Sequence, residues 1–224
     1  MEDIGIQDQW DKCSDAYQAY FNDDGNRIST VAVFPKVLQA LGSLEGKRVL
    51  DFGCGQGRFC RRFYDAGARV VGFDCSESEL EIAQRLNDGR DILYVSNLDT
   101  VTDQLFDYAL CFMTLLCNAE PESAALVEQI YRRLKPQGIS IFVNTNTHTL
   151  GKRFKDFYSQ RPSDLRIGSP YKTFIPTSKG VIEVIDHYYT PEGLRDLFER
   201  ANFDVVQEDI IEEQFVLQAL RKSH

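Results

Sequence analysis

The sequence predicts an α/β fold, a Rossmann-like doubly wound sheet of seven strands whose last strand is antiparallel. Three observations predict it. From Lys47 onward, short apolar runs alternate with segments of helical periodicity, as strands joined by crossover helices do. A glycine-rich turn follows the first of these strands. The last two apolar runs lie too close together for a helix between them, which favours an antiparallel hairpin.

The elements follow in a regular order, and 224 residues suit a single domain over 1–224. Apolar runs predict strands at 48–51, 69–74, 92–95, 108–113, 139–144, 203–210 and 213–221. Helical periodicity and caps predict helices at 58–66, 76–87, 121–134 and from Thr190 to about 201. The pattern breaks over 145–189, where prolines and glycines surround two strand-like pieces at 171–175 and 181–185. We therefore predict an inserted segment there, before the sixth strand.

Composition and charge disfavour several functional classes. The formal net charge of −9 disfavours a nucleic-acid partner, because an acidic surface repels phosphate backbones. We find no apolar run of membrane-spanning length and no targeting segment. The six cysteines lack zinc spacing, so we predict no metal site, no disulfides and a cytoplasmic location.

The strongest local signal is the turn between the first strand and its helix. It contains Gly53, Gly55 and Gly57, which permit positive φ and a close approach of a ligand to the backbone. Asp51 ends the strand before the turn, and Asp74 ends the next strand. A carboxylate in the position of Asp74 can accept hydrogen bonds from the hydroxyls of a ribose.

A nicotinamide-dependent dehydrogenase is the first alternative. Its fingerprint requires the third glycine at position 58, which is Arg58 in this chain. Asp51 also suits a ligand that carries an ammonium group and would repel a pyrophosphate. A tight turn without any ligand is the second alternative, and the combination of three glycines with two carboxylates disfavours it.

The chain resembles the class I S-adenosylmethionine-dependent methyltransferases from about Trp10 to Arg221. Five stretches in order are similar to that family's motifs, at 51–57, 73–76, 96–99, 106–117 and 134–138. The resemblance implies S-adenosylmethionine as cofactor, S-adenosylhomocysteine as its product and an N-terminal helical lid over 1–46. The chain departs from the family at Asn97, where aspartate is frequent, and at Leu116 and Cys117, where histidine is frequent. The cofactor-binding residues that the resemblance implies are Tyr17, Asp51, Gly53, Cys54, Gly55, Gly57, Asp74, Cys75, Asn97, Leu98, Cys111 and Phe112.

The methyl acceptor is expected to bind the inserted segment 145–189, which is rich in aromatic side chains. These suit an aromatic or apolar small molecule, methylated on oxygen or nitrogen by in-line transfer. His187 and His148 are candidate general bases, because a hydroxyl acceptor must lose a proton. Tyr20 and Phe21 are candidates to cap the pocket. A tRNA or protein methyltransferase, or a member of the fold that binds the cofactor without methylating, remains an alternative.

Overall fold

The computed structural model describes residues 5–21, 27–102 and 105–223, with the backbone alone at 19–21. The strands of the described residues are β1 (Arg48–Phe52), β2 (Arg69–Phe73), β3 (Leu93–Val95), β4 (Phe106–Phe112), β5 (Leu134–Thr145), β6 (Tyr158–Ser159), β7 (Pro170–Thr177), β8 (Gly180–His187), β9 (Phe203–Ile211) and β10 (Phe215–Lys222). Seven of them form one sheet in the order β3-β2-β1-β4-β5-β10-β9. The other three form a second sheet in the order β6-β7-β8.

The pairing within the large sheet confirms the predicted fold class. β1 lies parallel to β2 on one side and to β4 on the other. β10 lies antiparallel to both β5 and β9. The turn between β9 and β10 spans only 212–214, which leaves no room for a crossover helix.

The helices of the described residues cover both faces of this sheet. They are α1 (Ile6–Asp11), α2 (Ser14–Phe21), α3 (Phe34–Leu41), α4 (Arg58–Asp65), α5 (Glu77–Arg85), α6 (Glu120–Arg133) and α7 (Pro191–Arg200). On one face Phe63 of α4 packs in a core that includes Val49 of β1. On the other face Ile130 of α6 and Phe198 of α7 pack in a core that includes Leu50. Successive residues of β1 therefore point into different cores, as the strand period of two requires.

The helices begin at the residues that the capping signals predict. Ser76 Oγ accepts a hydrogen bond from the backbone N–H of Glu79, 3.1 Å away, at the start of α5. Thr190 Oγ1 accepts one from the backbone N–H of Gly193, 3.0 Å away, at the start of α7. None of the helices in the described ranges combines the length and apolarity needed to cross a membrane.

β5 begins five residues earlier than the sequence pattern predicts. Leu134 pairs with Phe106 of β4, and both side chains are fully buried. The register then shifts before Tyr108 pairs with Ile139, and Gln137 in between has φ of +62°. Burial of Leu134 thus extends the pairing with β4 to a point before the turn that contains Pro136 and Gly138. Local sequence signals predict that the strand begins only after this turn.

The strands of the second sheet follow β5 and precede α7 along the chain, in the segment where the regular sequence pattern breaks. β7 and β8 form an antiparallel hairpin that is longer at both ends than the two predicted pieces. β6 has only two residues and was not predicted, because its pairing with β7 leaves no periodic pattern. The backbone N–H of Ile185 in β8 donates to Gln9 Oε1 of α1 at 3.0 Å, which ties this sheet to the N-terminal helices.

We expect Thr190→Ala to lower the free energy of unfolding by about 1 kcal/mol, the usual effect of losing an N-cap acceptor. Thr190→Ser keeps the hydroxyl that accepts from Gly193 and should retain most of the stability. Urea denaturation of both variants measures the difference. An equal loss in the serine variant would show that the cap does not stabilise α7.

Candidate active site

A cavity of about 280 Å³ opens at the carboxyl ends of the central parallel strands. Gly55 of the glycine loop and Phe112 at the end of β4 line it. Thr173 of β7, Val184 of β8 and Tyr17 of α2 line it as well. Strand order reverses at β1, between β2 and β4, and this is the point at which doubly wound folds bind ligands.

The three glycines of the loop all have positive φ, of +74° at Gly53, +50° at Gly55 and +70° at Gly57. A Cβ added at Gly53 would overlap the side chain of Thr114, and one at Gly57 would overlap the ring of Tyr94. A Cβ at Gly55 would meet only Glu79 Oε2, at 3.4 Å. Protein packing therefore accounts for two of the glycines, whereas Gly55 leaves its space to the cavity.

Asp74 fixes the shape of this loop. Its Oδ2 accepts a hydrogen bond from the backbone N–H of Gly55 at 2.7 Å, and its Oδ1 accepts one from that of Ser76 at 3.0 Å. The carboxylate lines the cavity, and burial raises its pKa above the ordinary value. A carboxylate has about four lone-pair sites, so Asp74 can accept a further hydrogen bond from a ligand.

Asp51 lies beneath the loop and is 1% exposed. The thiol of Cys60 donates to its Oδ2 at 3.1 Å. Burial raises the pKa of Asp51 to about 7, which the Cys60 hydrogen bond partly opposes. Asp51 is not among the described residues that line the cavity, so its influence on a ligand there would be electrostatic.

Some of the other predicted cofactor residues line the cavity and some do not. Asn97 is exposed, and its Oδ1 accepts from the backbone N–H of Asp99 at 2.9 Å. Leu98 and Cys111 are buried in the apolar core. Cys54 belongs to the loop, and its thiol contacts the carbonyl of Gly55 at 3.5 Å. The predicted residues that the structure brings together around the cavity are Tyr17, Gly53, Gly55, Asp74, Cys75 and Phe112.

The two predicted histidines do not line the cavity. His187 ends β8, and its Nδ1 lies 3.3 Å from the carbonyl oxygen of Leu116. His148 is exposed on a short 3₁₀ helix that follows β5. Their role as general bases stays a prediction. Tyr20 and Phe21 also stay untested, because their side chains lie outside the described residues.

Glu79 is a cavity residue that the sequence pattern concealed. The spacing from Ser76 is typical of a capping box, in which a glutamate bonds back to the start of its own helix. Its side chain instead lines the cavity, where Oε1 accepts from Gln56 Nε2 at 3.4 Å. Oε2 is buried without a hydrogen-bond partner among the described residues. Burial, reinforced by the charge of Asp74, raises the pKa of Glu79 to about 8.

The N-terminal helices α1 and α2 line part of the cavity and make polar contacts with the elements around it. Asp11 Oδ1 accepts from Ser76 Oγ at 2.5 Å and from the backbone N–H of Ser78 at 3.4 Å, at the start of α5. Gln56 Nε2 donates to the carbonyl of Ser14 at 3.0 Å. With the bond from Ile185 to Gln9, these contacts join the glycine loop, α5 and β8 to one N-terminal segment.

The raised pKa of Glu79 predicts a pH-dependent stability. Its carboxyl group favours the folded state below its ordinary pKa of 4.5, and this advantage is lost as the pH rises to about 8, where the folded group ionises. Glu79→Gln stays neutral, so its free energy of unfolding should increase relative to wild type between about pH 5 and 8.

Urea denaturation across this pH range measures that difference. Glu81→Gln is the matched control, because Glu81 lies on the same helix with an exposed side chain. A wild-type-to-Glu79→Gln difference that stays constant with pH would contradict the raised pKa.

Comparison with known proteins agrees with this geometry. A family model described as a methyltransferase domain matches residues 26–208. The N-demethylindolmycin N-methyltransferase of Streptomyces griseus is 26% identical over 165 residues, which cover 70% of each chain. The ubiquinone biosynthesis O-methyltransferase of Alkalilimnicola ehrlichii is 34% identical over 116 residues, 49% of this chain and 46% of that protein, so the chain spans about half of that relative's length.

Among solved structures, the CcbJ methyltransferase of Streptomyces caelestis superposes with a TM-score of 0.73. The match covers 98% of this chain and all of that one at 16% identity, which shows a common fold. The family model covers most of the sheet and the whole glycine loop. The chain belongs to the class I S-adenosylmethionine-dependent methyltransferases.

Proposed function

We propose that the protein transfers the methyl group of S-adenosylmethionine to the oxygen or nitrogen of a small molecule. The observation that carries this proposal is a cavity whose lining comes from two chemically different parts of the fold. Gly55 and Asp74 belong to the glycine loop and the end of β2, which we call the cofactor end, and Thr173, Ile175 and Val184 belong to the second sheet, which we call the acceptor end. Cofactor and acceptor can therefore bind next to each other in one cavity, which is the arrangement that methyl transfer requires.

The residues at the loop end fit the cofactor. Gly55 leaves open the space that a Cβ would fill. Asp74 and Glu79 supply carboxylate oxygens for ribose hydroxyls or the methionine ammonium group, and Glu79 Oε2 has no partner among the described residues. When bound, S-adenosylmethionine supplies a sulfonium methyl, to which an acceptor lone pair bonds as the carbon–sulfur bond breaks and its electron pair returns to sulfur.

The other end of the cavity suits an apolar or aromatic acceptor. Trp10 of α1, Phe157 and Phe215 line the cavity together with the aliphatic side chains of the second sheet. The residues 145–189 would form the acceptor-binding segment, and 1–46 would contribute the lid. Helices α1 and α2 would exclude water from the transfer, which protects the sulfonium from competing reactions.

The two relatives support a small acceptor. One is named for N-methylation of N-demethylindolmycin and the other for O-methylation in ubiquinone biosynthesis. A tRNA substrate is disfavoured, because none of the cavity-lining side chains in the described ranges is a lysine or an arginine. The net charge of −9 disfavours it further.

Methyl-labelled S-adenosylmethionine tests the substrate class. We expect the label to pass into a small-molecule fraction of a cell extract, with S-adenosylhomocysteine released in equal amount. Total tRNA and total protein, offered separately, should stay unlabelled. Label found only in tRNA or protein would contradict the proposal, as would cofactor breakdown without transfer.

A pair of glycine variants tests the cofactor end. Gly55→Ala and Gly46→Ala both place an alanine at positive φ, +50° and +67° respectively, so both should lose about 1 kcal/mol of stability. A Cβ at Gly46 meets nothing within 4 Å, whereas one at Gly55 meets Glu79 of the cavity lining. We therefore expect only Gly55→Ala to weaken S-adenosylhomocysteine binding, by about tenfold, or ~1.4 kcal/mol.

Titration calorimetry with S-adenosylhomocysteine measures both affinities. Equal affinities in the two variants would place the cofactor away from Gly55.

A further inference from the structure

One strand of the second sheet brings a carboxylate to the acceptor end of the cavity. Along β8, Ile182, Val184 and Asp186 alternate with residues of the opposite face and are 5%, 3% and 4% exposed. Val184 and Asp186 both line the cavity. An apolar residue at 186 would continue the face at no electrostatic cost, whereas a buried carboxylate is costly unless something compensates its charge.

The polar contacts of Asp186 compensate it only in part. Thr173 Oγ1 donates to its Oδ2 at 2.7 Å, and Cys117 Sγ lies 3.6 Å from its Oδ1. Thr173 Oγ1 also lies 2.8 Å from Ser159 Oγ. Both donors are neutral, and a carboxylate has about four lone-pair sites, so each oxygen of Asp186 keeps room for a further donor.

The residue opposite Asp186 adds a second unsatisfied group. Tyr171 pairs with Asp186 across the β7–β8 register and is 4% exposed. Its hydroxyl has no hydrogen-bond partner among the described residues. Burial raises the pKa of Asp186, and its charge contributes to the raised pKa of Tyr171, so the two groups are close enough to interact.

The charges around the cavity indicate which kind of ligand group could bind Asp186. The carboxylates that line it are Asp74, Glu79, Asp156 and Asp186. Asp156 forms an ion pair with Arg27 at 2.9 Å. Asp186 forms no ion pair within the described part of the chain, and the ring of the adjacent His187 contacts the Leu116 carbonyl. An anionic acceptor would be repelled here, and a group with a positive charge or several N–H donors would be favoured.

We propose that Asp186 binds the amino group of the methyl acceptor, and that the substrates are apolar or aromatic amines. This inference rests on the proposed function. The carboxylate orients the nitrogen, and the apolar side chains around Val184 take the rest of the molecule. The relative that matches 70% of the chain is also named as an N-methyltransferase.

Asp186 can also remove the proton that an amine acceptor must lose before methylation. An alkylammonium ion has no lone pair, so one N–H proton must first pass to a carboxylate oxygen of Asp186. The neutral nitrogen then forms its bond to the methyl carbon, and the methylated product leaves as an ammonium ion. The proton on Asp186 passes to solvent, so each turnover releases one proton. The raised pKa of Asp186 makes it a stronger base for this transfer.

Matched pairs of small molecules test the proposal on the protein loaded with S-adenosylhomocysteine. 2-Phenylethylamine and tryptamine are compared with 2-phenylethanol and tryptophol, which differ from them only at the nucleophile. Titration calorimetry should show that each amine binds about tenfold or more tightly than its alcohol, the range for a hydrogen bond to a charged group. Asp186→Asn should abolish this preference while the affinity for S-adenosylhomocysteine is kept.

Glu183→Gln is the matched control, because it removes a carboxylate from the other, solvent-facing side of the same strand. It should keep the preference for amines. The proposal is overturned if neither amine binds the wild-type protein more tightly than its alcohol. It is also overturned if Asp186→Asn keeps the preference for amines. Methyl transfer to the alcohols would then leave the proposed function standing, whereas transfer to no small molecule at all would count against that function as well.

Discussion

The two hydrogen bonds that Asp74 accepts are the interaction on which the site depends. One comes from Gly55 in the loop and the other from Ser76 at the start of α5, so one carboxylate fixes both elements at the end of β2. Ser76 in turn donates to Asp11 of α1. The same helix accepts from β8 through Gln9. A continuous chain of polar contacts therefore links the cofactor end of the cavity to the acceptor end.

Buried carboxyl groups are concentrated in the cavity and beneath the glycine loop. Asp51 and Glu79 both have pKa values raised by burial, to about 7 and about 8. Their ionisation opposes folding as the pH rises, unless a cation lies nearby. A sulfonium cofactor and an amine acceptor both carry positive charge, so binding would stabilise the folded state more at neutral pH than at acid pH.

The sequence was sufficient for the fold, and six of the predicted cofactor residues lie around the cavity, where their contact with the cofactor stays a prediction. Strand periodicity, caps and the glycine spacing are local signals, and each of them lies within a few residues of the structure that it predicts. The early start of β5 depends on Leu134 reaching Phe106, and β6 depends on its pairing with β7. Both are contacts between distant parts of the chain, so local pattern could not reveal them.

Local sequence pattern is also insufficient to predict the acceptor end of the cavity. Alternation along β8 separates Ile185 and His187 from Asp186, but alternation cannot say which face meets the cavity. The phase is set by register, since Pro170 pairs with His187 and Tyr171 with Asp186, and a slip of one residue would exchange the two faces. The hydrogen bond from Thr173 to Asp186 stabilises that register. The chemistry available to the acceptor therefore follows from a pairing between strands, which places a carboxylate in the cavity and turns the neighbouring imidazole away from it.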